Sequence, residues 1–153
     1  MFVAGARLAQ VDTTPAFRLG SLFMDYDGKI YKYLQYKEGT AATDGVAGEV
    51  AYYLAGLADA YQCTSDLSDG DTTPLGAGVL QNTMSEAEYG WFQIKGLATL
   101  SIGLTAGADG NALTPTGAAD GTLDVVVTTV ALCHICAFAV DADAKVIACD
   151  FLF

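Results

Sequence analysis

The sequence predicts an all-β domain, a small β-barrel or sandwich, preceded by an extended N-terminal arm. Three observations lead there. In Tyr89–Ile102, one alternate set (Phe92, Ile94, Gly96, Ala98, Leu100, Ile102) has no polar side chain, and the other (Trp91, Gln93, Lys95, Leu97, Thr99, Ser101) is mostly polar. Successive strand side chains point to opposite faces, so this is a strand with one face in a core and the other toward water or a partner. Short aromatic and β-branched runs recur along the chain between turns rich in Gly, Asp and Thr, the signature of a sandwich or barrel. No segment demands a helix. The one ambiguous run, Val50–Leu57, fits helical spacing at Val50, Tyr53, Leu54 and Leu57, but Gly56 would interrupt a helix and its neighbours are strand-like, so a strand is expected.

The elements follow in order. Residues 1–18 mix Gly, Ala, Thr and Pro with isolated apolar residues, Phe2, Val3, Leu8 and Phe17, and keep no period. They read as an arm whose apolar residues need cover from outside it, and residues 19–153 as a single β-barrel domain. Asp27-Gly28 separates Leu19–Tyr26 from Lys29–Tyr36, a hairpin signal. In its second strand Tyr31 and Tyr33 share one face, while Ile30, Leu34 and Tyr36 share the other with Lys32. Residues 38–48 read as a loop, and a short strand is expected within 60–64. Residues 65–78 read as the longest loop, followed by a brief apolar step at 79–81. The tetrapeptide Asp-Thr-Thr-Pro at 12–15 recurs at 71–74 without flanking similarity, which makes two turns rather than a repeat. After the central strand, residues 111–116 are expected to form an edge strand, because Pro115 cannot donate to a ladder. Residues 123–140 are nearly continuously apolar. In the last strand Ile147, Cys149, Phe151 and Phe153 share a face, which ties the C-terminus into the sheet.

Composition narrows the function. The 153 residues are 52% hydrophobic and 16% charged, with 7 basic and 18 acidic side chains and a net charge of −11. A charged share below the usual one of about a quarter places part of the apolar excess at an interface. The basic residues are scattered singly, which argues against direct nucleic-acid binding, where phosphate neutralisation dominates affinity. No apolar run approaches the roughly 20 residues needed to span a bilayer, and the first residues lack the pattern of a signal peptide, so no membrane role is expected.

Candidate chemistry is sparse. Cys133-His134-Ile135-Cys136 has redox or zinc spacing, but it lies in a strand-like run, where residues three apart point to opposite faces. No second pair of ligands completes a zinc site. All four cysteines (63, 133, 136, 149) are therefore expected as reduced, buried small hydrophobes. His134, the sole histidine, is expected on the face of Leu132, Cys136 and Phe138 as a buried or interface residue. Asp66, Asp69 and Asp71 near Gly70 do not match a calcium loop, and the closing Glu is absent. No P-loop, dinucleotide fingerprint or nucleophile elbow is present. No enzyme activity, metal or cofactor is expected.

Four stretches carry a family resemblance. They are Phe17-Arg18-Leu19-Gly20-Ser21 before a hairpin with Ile30-Tyr31-Lys32-Tyr33, then Gly76-Ala77-Gly78-Val79, then Tyr89-Gly90-Trp91-Phe92-Gln93-Ile94-Lys95-Gly96-Leu97-Ala98, and last a pair of apolar strands ending in aromatics. The chain so resembles the head-decoration (cement) proteins of tailed bacteriophages. Phe92 stands where that family usually has valine, and Leu97 where it has a small residue or proline. The resemblance implies a non-enzymatic β-barrel, commonly trimeric, made in the host cytoplasm and carried on the outer surface of the virion. There it would bridge and stabilise major capsid protein subunits. The contact residues expected for the capsid or for a homotrimer are Phe2, Val3, Leu8, Phe17, Tyr31, Tyr33, Trp91, Gln93 and Lys95. Two rival readings stand beside it. One is a small-ligand or glycan-binding module with Trp91, Tyr31 and Tyr33 as stacking platforms; the other is a thiol-redox or metal protein built on Cys133 and Cys136.

Overall fold

The computed structural model describes residues 1–39, 42–54, 61–67, 75–115, 119–126 and 134–152. Ten strands follow one another: β1 (Leu22–Met24), β2 (Ile30–Tyr36), β3 (Val50–Tyr53), β4 (Gln62–Thr64), β5 (Gly76–Leu80), β6 (Tyr89–Thr99), β7 (Ala112–Thr114), β8 (Asp124–Val125), β9 (Ala137–Asp141) and β10 (Val146–Asp150). Strands β2-β4-β3-β5-β6 close into a barrel because β6 pairs back onto β2. The second half of β6 carries the rest of the sheet, in the order β10-β9-β7-β8. The all-β class expected from the sequence is observed, and of the barrel and the sandwich left open there, the closed barrel is the one formed.

The hairpin forms where Asp27-Gly28 places it, with Leu22, Phe23 and Met24 opposite Lys32, Tyr31 and Ile30. Gly28 has φ +78°, a left-handed conformation that glycine adopts without a clash. The Asp25 carboxylate accepts hydrogen bonds from the backbone N–H groups of Asp27 (2.9 Å) and Lys29 (3.0 Å), which fixes the turn. Val50–Tyr53 is a strand, as its surroundings suggest; Gly56 and Leu57 lie outside the described residues.

Two expectations need correction. Strand β5 begins at Gly76, inside the segment read as loop. Its glycines are there for close approach: a Cβ at Gly76 would lie 2.7 Å from the Phe151 ring, and one at Gly78 2.9 Å from the Gln93 carbonyl oxygen. Strand β7 is not an edge but sits between β8 and β9. Pro115 falls just beyond Thr114, where no ladder bond is lost. Lys32, on the inner face with Leu34 and Tyr36, is buried, at 6% exposed. Its ammonium donates to the Tyr53 hydroxyl (2.9 Å) and lies 5.4 and 5.9 Å from the Tyr53 and Tyr61 ring centroids, so the rings meet part of the cost of desolvation. That desolvation still lowers its pKa.

Two apolar clusters fill the interior. One holds Leu34, Tyr36, Leu80, Met84 and Phe92, and the other holds Tyr52, Ile94, Leu113, Ile147 and Phe151. Phe92 and Ile94, adjacent on one face of β6, feed the two clusters separately, so the central strand is the wall common to both. Each such fully buried side chain contributes roughly 1.5–3 kcal/mol relative to exposure. The alternating burial of Ile147, Cys149 and Phe151 places the last strand as expected.

Candidate interaction surfaces

The face of β6 opposite the core begins with Trp91, beside Tyr31 and Tyr33 on β2. The register sets Tyr33 opposite Trp91 and Tyr31 opposite Gln93, and side chains paired in this way share a face. The arm lies across that face. Val3, Ala6, Leu8 and Phe17 pack onto the three rings, joined by Leu19 and Phe23 from the chain leading into and along β1. The Trp91 ring centroid is 5.1 Å from Tyr33, 5.3 Å from Phe17 and 6.0 Å from Phe23. The Tyr33 hydroxyl donates to Asp12 (2.6 Å) and accepts from the Ala16 N–H (3.1 Å), so the arm is tied by polar as well as apolar contacts. Tyr31 donates to Asp25 (3.2 Å). Burial first, and then the neighbouring carboxylates, push both phenols above their ordinary range.

The expected contact residues therefore divide. Tyr31, Tyr33, Trp91 and Gln93 are buried at 3% exposure or less; they face this chain's own arm and each other rather than an outside partner. The cause is non-local. A face that is polar by composition is covered by a segment some seventy residues away, and Gln93 is accommodated because its amide donates to the Lys95 (3.2 Å) and Leu97 (2.9 Å) carbonyls. Val3, Leu8 and Phe17 are half-buried as the inner side of that cover. Phe2 remains exposed, and Lys95 pairs with Asp150 at 2.8 Å on the surface. No ring face of Trp91, Tyr31 or Tyr33 is open for a sugar to stack on while the arm is in place.

Seven of the exposed large apolar residues fall in two places. The arm's first residues continue the sheet beyond β1: Phe2 bridges Leu22 in parallel, with Val3 N–H donating to Leu22 O (2.7 Å) and Leu22 N–H to Met1 O (2.8 Å). Along this edge and the following turn, Met1 (81%), Phe2 (58%), Met24 (56%) and Tyr26 (96%) stand in solvent. The second place is the outer face of β6, β10 and β9, where Leu97, Phe138 and Val140 are exposed. Sequence reasoning missed Phe138 and Val140. Their alternation with Ala137 and Ala139 was the available signal, but it puts the large residues outward and the small ones inward.

The candidate chemistry takes a different form from the one expected. His134 is exposed and precedes β9, and Cys136 is buried while Phe138 is exposed, so these residues do not share a face. Regular alternation starts only at Ala137, so a strand parity extended back to His134 gives the wrong side. Cys63, Cys136 and Cys149 are buried with free thiols. Burial raises all three, that of Cys149 to about 12, which disfavours the reactive thiolate. Cys133 lies outside the described residues, as do Asp69, Gly70 and Asp71. Among the described residues no three His, Cys, Asp or Glu side chains converge on a possible metal position, and no helix is long and apolar enough to cross a membrane.

Comparisons of the chain with protein-family models, with curated proteins and with solved structures found no match.

Proposed function

We propose that this chain is a non-enzymatic virion component that decorates the outside of a tailed-phage head and stabilises it by bridging major capsid protein subunits. The observation that carries the reading is the exposed edge at the leading end of the arm. Met1, Phe2 and Met24 are exposed at the outermost pairing of the sheet and Tyr26 at the turn that follows it, in a molecule of net charge −11. An exposed sheet edge bearing apolar side chains invites an added strand, whose main-chain bonds supply affinity and whose alternate side chains supply specificity. The family-like Tyr89–Ala98 strand names the class of partner, and the same likeness makes a homotrimer the expected unit. Neither nucleic acid nor a membrane has a place in it.

The test is cosedimentation of the purified protein with mature heads that lack it. Saturable binding is expected, together with greater resistance of the heads to heat or chelator. A Phe2→Asp, Met24→Asp double variant, folded by circular dichroism, should bind at least about tenfold more weakly. A wild-type protein that never associates with particles sinks the proposal.

A further inference from the structure

We infer that the outer face of β6, β10 and β9 is where a second copy of this chain docks. The strand register builds the face. Leu97 lies opposite Ala148, Ala148 opposite Phe138, and Phe138 opposite Ala112, so four consecutive strands contribute one apolar row. With strands about 4.8 Å apart, the row runs roughly 14 Å. Leu97 is 53% and Phe138 44% exposed. Val140 extends the patch at 45% exposed; it is the extra residue of a bulge, between Ala139 opposite Ile147 and Asp141 opposite Val146. The other side of the same strands is also apolar and is already packed, through Ala98, Ala139, Ile147 and Cys149. An antiparallel sheet with one face in a core ordinarily turns polar residues to water on the other. Here the outer face carries an apolar row as well, and Leu97 and Phe138 in it are uncovered.

Charge selects the occupant. Beside the apolar row runs a charged one, Lys95 opposite Asp150, joined at 2.8 Å. The rim therefore offers both signs, on a molecule of net charge −11. Two copies repel over most of their surfaces, but at this face the Lys95 of one copy meets the Asp150 of the next while Leu97, Phe138 and Val140 leave water together. A basic partner would be drawn to the acidic remainder of the surface, and an acidic partner finds no cluster of cations here. This inference deepens the self-association that the decoration reading expects, yet it concerns the free protein and needs no capsid.

Sedimentation of the full chain over a wide concentration range tests it. The wild type should associate reversibly. Phe138→Asp and Leu97→Glu should each raise the dissociation constant at least about tenfold with the circular dichroism spectrum unchanged. Lys95→Asp and Asp150→Lys alter only surface charge and guard against misfolding as the explanation. Each alone places like charges across the contact and weakens it, whereas their equimolar mixture pairs an all-negative rim with an all-positive one and restores association. A chain that is monomeric at every concentration, or association that ignores these four substitutions, overturns the inference. If the wild type self-associates, the variants do not and neither binds heads, this inference holds and the decoration reading falls.

Discussion

Trp91 shows what a residue's neighbours in sequence do and do not reveal. Its face of β6 also holds Gln93 and Lys95, so polarity assigned it outward, and the inward set beginning at Phe92 was read correctly from the same alternation. The covering residues, Phe17 and Phe23, are far away in the chain and carry no periodic mark. Truncating this indole removes contacts with three other rings. Trp91→Ala should therefore destabilise by about 3–5 kcal/mol, seen as a lower urea midpoint by circular dichroism; a change under about 1 kcal/mol contradicts the burial. The thiols give a pH prediction. Unfolded cysteines ionise near 9, but burial keeps Cys149 protonated up to about 12 and raises Cys63 and Cys136 as well. The folded state then binds more protons across that window. Stability from this source is full below pH 9 and declines above it, by roughly 1 kcal/mol per pH unit for each such thiol. Urea midpoints measured from pH 8 upward should fall, and less steeply in Cys149→Ala.

At the scale of elements, the strands were legible wherever two local signals agreed. Asp27-Gly28 between aromatic runs gave β1 and β2, and an uninterrupted alternation gave β6 and β10. Signals failed where a tertiary contact decides. Gly76 and Gly78 read as loop residues, yet they are strand residues because the Phe151 ring and the Gln93 carbonyl occupy the space of a side chain. Gly78 also has φ +140°, so Gly78→Ala combines backbone strain with a clash at β6. An ordinary strand glycine gains roughly 0.5–1 kcal/mol on replacement by alanine; Gly78→Ala should instead destabilise, by on the order of 1–3 kcal/mol, measurable as a lowered thermal midpoint. The arm's apolar residues were expected to need cover from outside the arm, and Val3, Leu8 and Phe17 pack on the barrel's own Tyr31, Tyr33 and Trp91. What the sequence withheld is that the cover is reciprocal. Between arm and barrel a cavity of about 190 Å³ remains, bordered by Arg7, Gln10, Phe17 and Trp91. Deleting residues 1–16 should shift the emission of the sole tryptophan to the red and create dye-binding apolar surface. An unchanged spectrum would show that the arm is not the cover.

The whole molecule combines a tight interior with an acidic exterior that repels itself. Charge of −11 on 153 residues, with only two ion pairs among the described residues, leaves much of that repulsion uncompensated. Moderate sodium chloride should therefore raise the unfolding midpoint by screening, since the Debye length contracts to about 8 Å at physiological ionic strength. Composition had already indicated an apolar excess with somewhere to go, but not where. The outer row of Leu97, Ala148 and Phe138 depends on a three-strand register, and no single segment encodes it.

The covering of Trp91 by the arm also has a consequence for synthesis. Phe17 is synthesised 74 residues before Trp91, which at 5–20 residues per second is about 4–15 seconds. Throughout that interval Val3, Leu8 and Phe17 have no landing site, and the barrel cannot close, because β6 is the strand that joins β5 to β2. The nascent chain is thus a string of apolar segments waiting for one late strand. Chaperone occupancy on translating ribosomes should rise as the arm emerges and drop once β6 clears the exit tunnel.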